Sequence, residues 1–144
     1  AAFWASLRDH RHAFFAAQGA AEGEAERHAP LWRLSVPAAT GPIDLPGTQL
    51  VEWGGALRWY RPSAEAIAAL SGTAPAAPQA AAQALRERIA ALGGTATLFR
   101  ADEAHADVLR FHPLAPVNLQ IHQRLKQAFD PRGLINHGRM YPGL

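Results

Sequence analysis

The chain has 144 residues, of which 49% are hydrophobic and 18% charged, with no Cys and a formal net charge of +2. That balance excludes a disordered chain, the missing Cys excludes disulfide and thiolate chemistry, and no run approaches the roughly 20 consecutive apolar residues of a membrane-spanning helix. A pI of 9.7 hints at nucleic acid, but the arginines are scattered: apart from Arg8/Arg11, Arg58/Arg61 and Arg86/Arg88, no two stand within three positions, so no phosphate-tracking stripe is written in the sequence and no nucleic-acid partner is expected.

The absence of Cys permits a reducing compartment and predicts a cytoplasmic protein, and the opening AAFWASLRDHRH, with neither a basic-then-apolar leader nor a starting Met, predicts residues preceding Ala1. Phe3, Leu7, Phe14 and Phe15 recur among polar residues at a spacing that predicts an amphipathic helix over 3–15. The stretch Gln18 to Pro30, rich in Gly and Glu, has no apolar face and reads as an exposed loop. LWRLSVP alternates, with Trp32, Leu34 and Val36 on one side and Leu31, Arg33 and Ser35 on the other, until Pro37 ends the strand.

QLVEWGGALRWYRP predicts one long strand carrying Val51, Trp53, Leu57 and Trp59 on one face and Glu52, Arg58 and Tyr60 on the other. On such a strand Glu52 and Arg58 stand about 20 Å apart and cannot pair. Gly54 and Gly55 in its middle predict a bulge, a sharp coil or the close approach of another backbone. A short helical turn and an Ala-Pro linker follow from Ser63 to Gln79. Leu85, Ile89 and Leu92 at i, i+4, i+7 then predict a helix over 79–92, stopped by Gly93-Gly94. TATLFR and DVLRFHP read as strands. Pro116 opens a last helix, with Val117, Ile121, Leu125 and Ala128 turned to the core and Asp130-Pro131 as its end.

This order predicts an α+β domain spanning 1–144, an antiparallel sheet with helices packed on one face and the other face free to cover something else.

Chemistry is harder to find. His10 and His12 point about 200° apart on a helix. The remaining His residues show no metal-ligand spacing, so no metal site is expected. No nucleophile elbow, catalytic triad or phosphate loop is present. Spacing alone names no reaction.

The last sixteen residues, FDPRGLINHGRMYPGL, crowd turn formers and donors where a chain end usually frays. This stretch resembles the C-terminal signature of FAD-linked oxidases of the vanillyl-alcohol-oxidase type, in which a helix ends at Asp-Pro and an Asn-x-Gly-Lys/Arg run follows. LWRLSVP, EWGGALRWYRP and GGTATLFRA narrow the resemblance to the FAD-binding subunits of bacterial glycolate oxidases, over most of the chain.

The resemblance implies a ferredoxin-like C-terminal cap, or substrate, domain over the isoalloxazine ring. Its FAD would be held mostly by an N-terminal flavin domain that this chain lacks, so the isolated fragment is expected to be inactive. It also implies a small 2-hydroxyacid substrate, catalytic flavin and iron-sulfur subunits as partners, and peripheral association with the inner membrane through that complex. Arg8, in FWASLR, matches the family's substrate-carboxylate Arg. Leu31 stands where relatives carry Lys, and their His-rich metal motif is absent, so electron relay stands beside substrate oxidation as the implied role. Asn136 and Arg139 would offer donors to the flavin edge. Arg33, Glu52 and Arg58 would face the flavin or a partner from the free side of the sheet, with His112 as a candidate proton shuttle. The rival is an interaction module that docks a sister subunit through the Trp53/Trp59 face.

Overall fold

The computed structural model describes residues 2–15, 30–63, 78–101 and 105–144; of the loop expected over 18–30 and the helical turn and linker expected over 63–79, residues 18–29 and 64–77 lie outside them. Two compact units emerge, Ala1–Val108 and Leu109–Leu144.

The first unit runs α1 (Ala2–Arg8), β1 (Leu31–Ser35), β2 (Gly47–Glu52), a single 3-10 turn (Trp53–Gly55), β3 (Leu57–Pro62), α2 (Pro78–Ala91) and β4 (Thr95–Arg100). The four strands form one sheet in the order β2-β3-β1-β4, every neighbouring pair antiparallel. The fold is α+β, with the strand order of a ferredoxin-like sheet.

One face of the sheet carries α2. Trp32, Leu34, Tyr60, Ala96 and Leu98 meet Ala82, Leu85 and Ile89 of the helix in a continuous buried core. Burying each large aliphatic side chain there contributes about 1.5 to 3 kcal/mol. Arg86 is also buried, its guanidinium 5.4 Å from the Trp32 ring centre, so the cation lies on an aromatic face. Tyr60 donates its hydroxyl hydrogen to the Pro46 carbonyl at 2.8 Å, and burial pushes its pKa up to about 12.

The helix ends where Gly93-Gly94 predicts. Gly93 takes φ 74°, its N–H bonds Ala90 O and that of Gly94 bonds Ile89 O. Gly94 is required for a second reason: a Cβ there would stand 2.5 Å from the Ser35 carbonyl oxygen.

The long strand expected over 49–62 is instead a hairpin. Trp53, Gly54 and Gly55 take φ of 51°, 60° and 96° in succession, a left-handed run that no strand accommodates, so the chain reverses and Glu52 comes to pair with Leu57. The reversal changes which residues share a face. Val51 now opposes Arg58 and Leu50 opposes Trp59, so Glu52 lies with Leu57 and Trp59, and Arg58 points to the opposite side.

α1 is shorter than the predicted 3–15 helix. Leu7 and Phe15 reach the sheet face opposite α2 and pack with Leu31, Leu57 and Trp59. Arg33 and Ser35 on that face remain exposed.

In the second unit α3 (Pro116–Phe129) starts at Pro116 and ends at Asp130 as predicted. Its apolar residues are not buried as expected: Val117, Ile121 and Leu125 are all exposed. The strand expected over 107–113 is absent, that stretch being turn and irregular chain.

Gly94→Ala is expected to lower stability by about 1 to 3 kcal/mol, the cost of forcing a group into filled space. Gly41→Ala, whose Cβ meets nothing within 4 Å, is expected to change stability by less than about 0.5 kcal/mol. Denaturant midpoints of the two variants check the contrast.

Candidate functional site

On the sheet face opposite α2, α1 and the β2-β3 hairpin enclose an open cleft of about 850 Å³. Its walls are aromatic, from Phe3 and Trp4 on one side and Trp53 and Trp59 on the other, and Arg8 and Glu52 stand among them. Trp4 is 70% exposed and Trp53, at the tip of the hairpin, 81%. A tryptophan on a left-handed backbone position is uncommon, and its indole at the tip is open to water.

Hydrogen bonds fix both charged residues. Trp59 Nε1–H donates to Glu52 Oε2 at 2.6 Å, the diagonal cross-strand contact that the hairpin register creates. Arg8 donates from Nε and Nη2 to the Asp9 carboxylate, at 2.7 and 3.2 Å, and Arg11 Nη2 adds a third contact to Asp9 at 2.6 Å. The Arg8 hydrogen bond, ahead of the weaker Arg11 contact, holds the Asp9 carboxyl below its ordinary value. Asp9 engages the Nε edge of the Arg8 guanidinium, and the end-on edge remains for a second carboxylate.

Arg33 shares the sheet face with Trp59, its cross-strand partner on β3. Arg58 does not. It is only 4% exposed, on the α2 side of the sheet, and it donates to the carbonyls of Thr40 at 2.5 Å and Gly55 at 3.4 Å. Its guanidinium ties the hairpin tip to the loop after β1, which corrects the expectation that it faces a ligand from the free side.

The other expected residues belong to the second unit. Asn136 takes φ 49° and accepts the Arg139 N–H at its carbonyl, a left-handed turn in the tail. His112 accepts the Tyr141 hydroxyl at its carbonyl oxygen, 3.2 Å away. Asp130 organises this tail. Its Oδ1 accepts Leu134 N–H at 2.9 Å and its Oδ2 accepts Ile135 N–H at 2.8 Å and Lys126 Nζ at 2.6 Å. Lys126 also donates to the Ile135 carbonyl. These contacts, Lys126 first, hold the Asp130 pKa at about 2. A cavity of about 350 Å³ opens beside it, lined by Leu125, Phe129, Asn136 and Tyr141 among others. The Asp130 carboxylate therefore ties down the start of the donor-rich chain end, a role that its Asp-Pro spelling signals only as a helix stop.

His10 is the residue that sequence reasoning passed over. Its ring stacks on Phe15 at 4.2 Å and 6°, meets Trp59 edge-on at 5.0 Å, and tilts against Phe99 at 5.3 Å. Its spacing from His12 speaks only against a metal pair; the phenylalanines that follow it, Phe14 and Phe15, are the available signal. Among the described residues no group of three or more His, Asp or Glu could hold a metal ion, and no helix is long and apolar enough to cross a membrane.

The chain is similar to glycolate oxidase subunit GlcE of Escherichia coli (strain K12). The identity is 37% over 144 residues, 99% of this chain, which spans 32% of that relative's length. No protein-family model matches the chain, and no solved structure matches it. The resemblance carried by LWRLSVP, EWGGALRWYRP and the tail is borne out at the level of this subunit.

Acid is expected to release the tail. The Asp130 pKa is depressed from 3.8 to about 2, so the stabilisation it brings is present above 3.8 and lost as pH falls toward 2. In Asp130→Asn at neutral pH, hydrogen-exchange protection of the Leu134 and Ile135 amides is expected to fall about tenfold or more, as charge-assisted bonds become neutral ones; unchanged protection would show that the tail is held elsewhere.

Proposed function

We propose that this chain is the part of a glycolate oxidase subunit that covers the flavin, its sheet face laid over an FAD ring held by a flavin domain of the same polypeptide. Two observations support this. The similarity to a glycolate oxidase subunit runs along 99% of the chain, and the cleft of about 850 Å³ lies in the size range of cofactor pockets, roughly 300 to 1,000 Å³. The cleft carries the reading, because its donor set suits the group. Trp4, Trp53 and Trp59 offer aromatic faces and edges to a flat ring, and Arg8 and Glu52 offer a donor and an acceptor.

Bound FAD supplies the two-electron acceptor for oxidising a small 2-hydroxyacid such as glycolate to the 2-oxoacid. The residues of this chain position and shield. Arg8 binds the substrate carboxylate through the guanidinium edge that Asp9 leaves open, Arg33 contributes positive charge on the same sheet face, and the aromatic walls exclude water. In the second unit, taken by itself, Asn136 and Arg139 are the candidate donors to a flavin edge and His112 the candidate proton shuttle. The complex adds catalytic flavin and iron-sulfur subunits, in a cytoplasmic assembly with peripheral attachment to the inner membrane.

The exposure of Trp4 and Trp53 favours a second reading, in which the same face docks a sister subunit and carries no redox role. A complete polypeptide containing this chain separates the two. A yellow protein that bleaches on adding glycolate supports the flavin reading; a colourless one that still assembles with the other subunits supports docking. In the complete protein, Arg8→Ala is expected to raise the apparent KM for glycolate about tenfold, the loss of one charge-assisted contact, with flavin content unchanged. An unchanged KM removes the carboxylate role.

A further inference from the structure

Besides the packing of Phe15, one polar side chain ties the turn that follows α1 to the sheet. Arg100, at the end of β4, donates from Nη1 to the Phe15 carbonyl at 3.2 Å, and its Nη2 lies 3.0 Å from His10 Nδ1. Arginine is always protonated and has no acceptor, so His10 Nδ1 must be the acceptor and the ring proton must sit on Nε2. The contact exists only while the imidazole is neutral. His10 is itself at φ 53°, a strained position that tertiary contacts must hold. The segment between them carries Phe15, buried against Leu31 and Trp59, and α1 directly before it supplies Phe3, Trp4 and Arg8 to the cleft.

We infer that His10 and Arg100 form a proton-sensitive latch that holds the 9–15 turn, and with it the α1 wall of the cleft, against the sheet. Protonating Nδ1 removes the acceptor and sets two cations against each other. The other groups around the ring are accounted for. Glu52 from β2 favours the imidazolium, and so does the aromatic face of Phe15 stacked on the ring; Arg33 of β1 and Arg61 of β3 lie on this sheet face. On the segment itself Asp9 is neutralised by Arg8 and Arg11, and His12 Nδ1 is occupied by the Phe14 N–H. Burial, then Arg100, outweigh Glu52 and lower the His10 pKa from its ordinary 6.5. A group whose pKa is depressed by folding in this way stays neutral at pH 7, and its closed state loses stability as pH falls from 6.5 toward the lowered value.

Hydrogen exchange and ring titration of the chain test this without any ligand. Between about pH 7.5 and about pH 5, protection of the Phe15 amide, corrected for intrinsic exchange, is expected to fall at least about tenfold in the wild type. In His10→Phe, which keeps the stack on Phe15 but cannot be protonated, it is expected to stay within about twofold. The same tenfold loss in His10→Phe, or no loss in the wild type, overturns the latch. Should His10→Phe not fold, the wild-type His10 ring decides alone: a pKa below 6.5 with coincident shifts at Trp59 and Phe99 supports the latch, and a pKa at or above that value overturns it.

Discussion

Three successive left-handed residues, Trp53, Gly54 and Gly55, are the constraint on which the sheet face depends. Because they reverse the chain, β2 and β3 lie side by side, Glu52 comes beside Trp59, and Arg58 is carried to the other side of the sheet. A bulged continuous strand would have put Glu52 and Arg58 on one face, with Trp59 facing away from both. The glycines make the reversal affordable, and Gly55 also lets the tip approach Ala38, where a Cβ would lie 3.0 Å from the carbonyl oxygen. Trp53 has no such excuse for φ 51°; Arg58, bonded to both Thr40 and Gly55, braces the tip in which it is held.

The cleft follows from that reversal together with a short N-terminal helix. α1 alone is seven residues, too short to persist in water without tertiary contacts. Leu7, Phe15 and His10 supply those contacts on the sheet, leaving Phe3, Trp4 and Arg8 to line the opening. The result is an aromatic face with Arg8 and Glu52 among its lining residues, the surface on which the proposed cap over a flavin rests.

Much of the fold was legible because local signals agreed with tertiary ones. LWRLS alternates and lies in a central strand; Leu85 and Ile89 repeat at helical spacing and are buried; Gly93 and Gly94 end the helix by dihedral and by close approach. The failures have physical causes. A pair of glycines between β-branched and aromatic residues is equally the spelling of a bulge and of a turn, and only the preceding Trp in a left-handed conformation, invisible in sequence, makes it a turn. The apolar stripe of α3 gave the right helix but the wrong surroundings, since periodicity reports a face and not what covers it. At the site, Arg8 is legible only through what the resemblance implies and Glu52 through strand alternation, and both line the cleft. The role of His10 depends on Arg100, ninety residues away, and Asp130 reaches its partners through a backbone turn, so neither was readable from spacing.

The central claim is that the Trp-lined cleft meets the flavin ring. Trp53 permits a direct test, because glycine suits its backbone conformation, so Trp53→Gly removes the indole while favouring the hairpin. In the complete flavin-loaded polypeptide, an indole near the isoalloxazine quenches flavin fluorescence. The account predicts brighter flavin emission in Trp53→Gly at unchanged flavin content and a thermal midpoint no lower than that of the wild type; emission identical to the wild type would place the ring away from the hairpin tip and contradict it.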